Sequence, residues 1–274
     1  MSVNDIKIPN WLKKINTILS VIITFLVIAW ILKNVYYNNG EISPTPSFSD
    51  DVLTVLSTET YEVRNENIPY FTDSEKSSLE VFEIYSELDS LGRCGVAYAN
   101  ICQELMPTEG RESISNVKPS GWQSIKIDSV DGGWLYNRCH LIGFQLAGEN
   151  ANEKNLITGT RYFNVTGMLP FENQVAEYVQ ETDNHVLYRV TPVFQNNNLV
   201  ADGVLMEAYS VEDDGTGVCF CVFVYNIQPG VEINYLTGEA NVIEENLEEN
   251  TTGSNTVIVV DASLVGLWSK QRCL

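Results

Sequence analysis

The chain has 274 residues, 44% of them hydrophobic and 19% charged, with a formal net charge of −20. That length and mix can bury a substantial core and exclude a wholly disordered chain. The acidic balance also excludes a protein that holds polyanions by its overall charge, so any such site has to be local.

Residues 1–14 carry Lys7, Lys13 and Lys14. The next eighteen positions, Ile15 to Leu32, hold no charge. At a rise of about 1.5 Å per residue that run is long enough to cross a hydrocarbon core. Trp11, Trp30, Tyr36 and Tyr37 stand near its ends, where amphipathic rings favour the interface, so the expected membrane anchor spans 15–36. The lysines precede the run and only Lys33 follows it, which places the N-terminus in the cytoplasm and the rest of the chain outside the cell. A cleaved signal peptide that releases a secreted form is the rival reading; the length of the run and the lack of a small-x-small site after it speak against cleavage.

Residues 37–51 are rich in Gly, Ser, Pro and Asn without a hydrophobic period and read as a linker. The expected main domain covers 52–240. It opens with β-like pieces at Val52–Leu56 and Tyr61–Val63, followed by an acidic helix over Asp73–Leu88 capped by Asp73 or Ser74. From Gly92 a buried strand and a long loop follow. Trp134–Phe144 reads as a strand, Pro170–Gln180 as a helix, and Val186–Phe194, Leu199–Tyr209 and Val218–Ile227 as a meander turned at Asn196–Asn198 and Asp213–Gly215. Strands first paired in a meander with helices laid on them make an α+β domain on an antiparallel sheet. Beyond Glu239 the chain turns acidic and low in aromatics, so 241–274 is expected to be a disordered tail, with Thr256–Val260 as one further strand or a sticky end.

Between Arg93 and Asn173 eight acidic residues face seven basic ones, so nearly all the excess negative charge lies elsewhere. The six cysteines suit either disulfides outside the cell or buried thiols, and Cys219 and Cys221 lack the second ligand pair a zinc site needs. Only two histidines are present, which shortens the search for a general base. His140 lies two residues after Arg138 in strand-like sequence, so both side chains share a face, and an imidazole beside a guanidinium suits water activation next to a phosphate. A purely structural histidine is the alternative, and that is the reading for His185. Cys139 points to the opposite face of the strand from His140, which argues against a thiol–imidazole dyad. Asn164, eight residues before Glu172, can bring an oxygen ligand and a carboxylate to one folded-back site of the kind magnesium prefers. Asn150, in contrast, reads as a turn former.

Asn137-Arg-Cys-His resembles the Asp-Arg-Gly-His motif of the DNA/RNA non-specific endonucleases, the ββα-metal or His-Me finger nucleases. The Leu-Ile-Gly, Asn-Glu-Lys-Asn-Leu-Ile, Thr-Arg-Tyr-Phe-Asn and Phe-Glu-Asn-Gln elements that follow are similar to the secreted and surface-anchored bacterial branch, in the same order, over about Leu79–Glu239. The resemblance implies a ββα-metal core. It further implies His140 as general base, Asn164 as direct metal ligand, and Glu172 as the carboxylate that positions the metal and its waters. By the same resemblance Arg138 contacts the phosphate, Arg111 steadies the transition state, Asn152 and Asn155 support the base or the substrate, and Arg161 joins the substrate-binding set. An ordinary surface role is the other reading of Arg111 and Arg161. Asn137 and Cys139 depart from the motif, which has Asp and Gly at these positions.

The expected activity is hydrolysis of phosphodiester bonds in extracellular DNA, and in RNA, with Mg2+ or Mn2+ as cofactor. A catalytically silent, surface-anchored nucleic-acid-binding or adhesion module is the alternative. An inward-facing toxin is a third reading, which the lysine distribution opposes.

Overall fold

A computed structural model describes residues 59–243. Among them no helix is long and apolar enough to cross a membrane. The expected anchor at 15–36, the linker, Val52–Leu56 and the tail from residue 244 lie outside the described residues.

Six strands form one antiparallel sheet: β1 (Tyr61–Val63), β2 (Glu83–Tyr85), β3 (Ala97–Ile101), β6 (Val186–Val193), β7 (Gly203–Ser210) and β8 (Cys219–Tyr225). Their spatial order is β1-β8-β7-β6-β3-β2. The three C-terminal strands are the expected meander. Two hairpins stand apart from the sheet: β4 (Tyr136–His140) with β5 (Leu156–Thr160), and β9 (Val231–Ile233) with β10 (Ala240–Val242). The α+β expectation on an antiparallel sheet is therefore met.

Two expectations on local structure are corrected. The acidic helix over Asp73–Leu88 is a single turn, α1 (Asp73–Lys76), capped by Thr72, whose side chain accepts from the Glu75 N–H while the Glu75 carboxylate accepts from the Thr72 N–H. It stops because Ser77 and Ser78 compete for the backbone and because Glu83–Tyr85 pairs with β3, a gain that overrides local propensity. Similarly, the chain after Glu239 is not irregular at once: Ala240–Val242 pairs with β9.

After the single turn of α2 (Phe144–Ala147), helix α3 (Leu169–Thr182) begins with a proline in its first turn and lays Phe171, Val175, Ala176 and Val179 on the sheet. The even-numbered residues Val186, Tyr188 and Val190 of β6 face it, as do Val204, Met206 and Ala208 of β7. The opposite face of the sheet holds a buried ion pair, Arg189 with Glu207, directly opposed across β6 and β7. The Arg189 guanidinium also lies over Phe71, and the Tyr70 N–H donates to Glu207, so the N-terminal segment is latched onto that face. Of the described cysteines, Cys94, Cys102, Cys139 and Cys221 are buried free thiols and Cys219 is disulfide-bonded.

The β4–β5 hairpin packs into the main core through Cys139 and Ile157 and is also tied to the sheet by Asn226, just past β8 and fully buried. Its Oδ1 accepts from the Thr160 N–H at 2.9 Å, and its Nδ2 donates to the carbonyls of Thr158 at 3.1 Å and Ala201 at 2.9 Å. Three backbone groups thus depend on one side chain. Replacing Asn226 with Ala leaves them without partners in a dry interior, which should lower stability by on the order of 3 kcal/mol, read as a drop in the urea midpoint at unchanged slope. A midpoint within error of the parent would show that the hairpin is held by other contacts.

Candidate active site

His140 closes β4 and is 6% exposed. Its Nε2 lies 2.8 Å from the Asn150 carbonyl. A carbonyl can only accept, so Nε2 carries the proton and Nδ1 keeps its lone pair. Nδ1 faces Nη2 of Arg111 at 3.4 Å. Burial, and after it the Arg111 charge, holds the imidazole below its usual 6.5, against the pull of the Asn150 carbonyl. The ring is therefore neutral at physiological pH, with a free base nitrogen beside a cation.

The strand end that carries His140 is fixed by Asn155. This residue is fully buried; its Oδ1 accepts from the Ile142 N–H at 2.8 Å and its Nδ2 donates to the Ile142 carbonyl at 3.0 Å. With the Leu141 N–H donating to the Asn155 carbonyl, the side chain adds a rung to the β4–β5 ladder past its last residue pair. Buried in this way, the Asn155 side chain is turned to the backbone that follows His140 rather than to the cleft. Asn152 caps the short turn before it, with Oδ1 accepting from the Lys154 N–H at 3.0 Å, so its side chain is likewise turned to the backbone.

Asn164 lies in a π-turn, Phe163–Met168, whose wide hydrogen bond runs from the Leu169 N–H to the Asn164 carbonyl. Such turns are costly and recur at functional sites. Eight residues on, Glu172 is 9% exposed in the first turn of α3. Burial pushes its carboxyl up to about 8, with the Arg111 charge acting the other way. A Cβ on Gly143 would come within 2.7 Å of the Glu172 carboxylate, so a larger residue after Leu141-Ile142 would make this carboxylate shift. Asn164 offers a carboxamide oxygen at the cleft and Glu172 a buried carboxylate that resists ionisation and would gain from a cation; oxygen donors of this kind suit a hard divalent ion. Among the described residues no three His, Cys, Asp or Glu side chains converge as a metal cage, so an ion held here would keep most of its water.

Asn164 lines a cleft of about 470 Å³ together with Arg111, Arg138, Arg161 and Asn137. No Asp or Glu lines it, in a chain of net charge −20. Arg111, given equal weight as a surface residue by sequence, is the link between groups: it touches His140, its charge reaches Glu172, and it lines the cleft with Asn164. Arg138 is more committed than expected. Its Nε donates to the Val117 carbonyl, its Nη2 to the Ser115 carbonyl at 2.9 Å, and the guanidinium lies 3.9 Å from the Trp122 ring centroid. It pins the loop that carries Arg111 while its remaining N–H groups stay available. Arg161 pairs with Asp131 at the rim. His185 bonds Glu212 and takes no part, as expected.

Sequence reasoning missed Asn150. Its Oδ1 accepts from the Glu112 N–H at 2.8 Å, so one residue orients the imidazole through its carbonyl and anchors the Arg111 loop through its side chain. Nothing in a loop asparagine followed by Ala announces this. Cys139, which replaces the glycine of the motif, is fully buried and points away from His140; its sulfur would be 2.5 Å from a Cβ on Gly159, so the glycine across the hairpin makes room for it.

The family model for DNA/RNA non-specific endonucleases matches residues 72–212. A deoxyribonuclease from Streptococcus dysgalactiae subsp. equisimilis is 35% identical over 128 residues, which are 43% of this chain; the chain spans 38% of the length of that relative. Among solved structures, NucA from Streptococcus agalactiae with a magnesium ion bound is 26% identical with a TM-score of 0.58, covering 65% of this chain and 84% of its own. The Sda1 nuclease with a bound zinc ion is 29% identical with a TM-score of 0.54, covering 68% and 96%.

The imidazole geometry can be checked without any substrate. In the NMR titration of the two histidines, His140 should titrate below 6.5, and Arg111→Met should move it upward. A folded pKa below the unfolded value also means that the unfolded chain binds the proton more readily, so the contribution of His140 to stability falls away as pH drops below 6.5. A His140 pKa above 6.5 would contradict the assigned environment.

Proposed function

The chain belongs to the DNA/RNA non-specific endonuclease family, and from that premise we propose that it is a metal-dependent endonuclease that hydrolyses phosphodiester bonds in DNA, and in RNA, without regard to sequence. One observation carries the reading: a neutral, buried imidazole whose unprotonated Nδ1 meets Arg111, the residue that in turn lines a cleft with two further arginines and no carboxylate.

In the proposed reaction Nδ1 of His140 takes a proton from water, the hydroxide attacks phosphorus, the bond to the leaving oxygen breaks, and that oxygen is protonated from solvent. The Asn150 carbonyl stabilises the imidazolium that forms, because its bond to Nε2–H strengthens as the ring gains charge. Arg111 holds the phosphate side of the base, and the free N–H groups of Arg138, with Arg161 at the rim, bind flanking phosphates. Asn164, with Glu172 behind it, would hold a divalent ion, which when bound would supply positive charge to the phosphate. Oxygen-only donors favour magnesium, with manganese as a substitute, over zinc, which prefers nitrogen and sulfur. Contacts to phosphate rather than to base edges explain tolerance of sequence, and they weaken with salt.

The space that Gly159 gives the Cys139 sulfur, turned away from His140, supports the active reading over a catalytically silent module. The lysines of 1–14 and the uncharged run of 15–32 support a single-pass anchor over 15–36 with the catalytic domain outside the cell, where the substrate is extracellular nucleic acid.

Incubated with plasmid and magnesium, the protein should nick and then linearise DNA, and chelation should abolish cutting. His140→Ala should lose roughly 10²–10⁴-fold in rate. Asn164→Ala should raise the magnesium concentration needed for half-maximal rate. Intact plasmid, or equal cutting by His140→Ala, would sink the assignment.

A further inference from the structure

The cleft that holds Arg111, Arg138 and Asn164 continues along Trp122, Gln123, Ser124 and Trp134, none of which the proposed hydrolysis uses. Trp134 is 46% exposed, an unusual state for so large an apolar side chain just before a buried strand. Its position is not loose: the backbone of Trp134 pairs with Lys126 in an isolated bridge, and the Lys126 ammonium lies 4.8 Å from the indole centroid. The facing wall is equally fixed. Thr158 of β5 donates to the Ser120 carbonyl at 2.8 Å, Arg138 holds Val117 and Ser115, and the Gln123 amide donates to the Thr237 carbonyl at 3.3 Å.

A rigid, half-exposed indole flanked by cations is the feature on which nucleobases stack in proteins that bind single strands. We propose that this end of the cleft is a subsite for one unpaired nucleotide next to the scissile phosphate, with its base on Trp134 and its own phosphate between Lys126 and the cleft arginines. The inference rests on the nuclease reading for what sits in the catalytic half and adds a substrate preference to it. In B-form duplex both faces of a base are covered by neighbours, so Trp134 can stack only on a base that is already free or that leaves the helix at a cost of about a few kcal/mol. Single-stranded and locally unpaired nucleic acid is therefore the favoured substrate. Stacking uses the π-face that every base has, so the subsite keeps the enzyme tolerant of sequence.

Binding decides the question apart from catalysis. The full chain carrying His140→Ala is titrated in chelator with a labelled oligothymidylate and with a duplex of the same length, and anisotropy reads the affinity. The single strand should bind more tightly than the duplex. Adding Trp134→Ala should weaken single-strand binding by roughly 5- to 100-fold, and Trp134→Phe, which keeps an aromatic face, should restore most of it. Duplex bound as tightly as single strand, or single-strand affinity unmoved by Trp134→Ala, would overturn the proposal. The two readings fail separately. A protein that cuts plasmid but ignores Trp134 keeps the nuclease assignment and loses the subsite, and one that binds single strands through Trp134 without cutting does the reverse.

Discussion

The bond from Nε2 of His140 to the Asn150 carbonyl governs the chemistry of the site. It assigns the proton to one nitrogen and leaves the other as a base, and it does so in a buried setting that keeps the ring neutral. Without the carbonyl the same imidazole could flip or exchange tautomers, and Nδ1 would face Arg111 only part of the time. Much of the surrounding structure holds the two ends of this bond. Asn155 extends the ladder past His140, Asn226 ties the hairpin to the sheet, and the Glu112 N–H holds Asn150 in turn. Each of the three is a carboxamide that satisfies backbone groups where no regular partner exists, which is the role their two-sided hydrogen bonding suits.

Charge is handled the same way, locally and against the global balance. A chain of net charge −20 repels polyanions at long range, yet its cleft gathers three arginines and excludes carboxylates from its lining. Asp131 is taken up by Arg161 at the rim, and Glu172 is buried against the Gly143 backbone with its carboxyl pushed up to about 8. An acid in that state adds little negative charge until a cation draws the proton off. The cleft can therefore stay attractive to phosphate while keeping a latent anion for a metal.

Much of this was legible in the sequence, and what was not follows a physical pattern. Strand alternation put Arg138 and His140 on one strand face, because that depends on local periodicity; the expected fold-back between Asn164 and Glu172 is absent, since residues 161–182 run as one continuous helical stretch. The Asp73–Leu88 helix failed because an acidic, helix-prone stretch found a strand partner in β3, a contact no local window contains. Asn150 and Asn226 were passed over because a carboxamide in a loop is ordinary until one knows which distant backbone group it satisfies. Arg138 was read as a phosphate ligand from its motif alone. That its fork is turned partly toward Ser115 and Val117 depends on where a loop twenty residues upstream comes to rest.

Cys139 shows most clearly why a motif should not be judged one position at a time. Taken alone, a cysteine in place of glycine adds a side chain beside the base and argues for a damaged site. In the folded hairpin the sulfur turns away from His140 into the core, toward Gly159 and Phe163. A Cβ on Gly159 would lie within 2.5 Å of both that sulfur and the Phe163 ring, so the glycine that matters is the one across the ladder. At this contact Gly159 is the small residue, and it leaves room for both the sulfur and the Phe163 ring. Since close packing fixes the sum of volumes at such a contact rather than the identity of either residue, the departure at 139 is compatible with an intact base, and its effect has to be sought at Phe163, the first residue of the turn that carries Asn164.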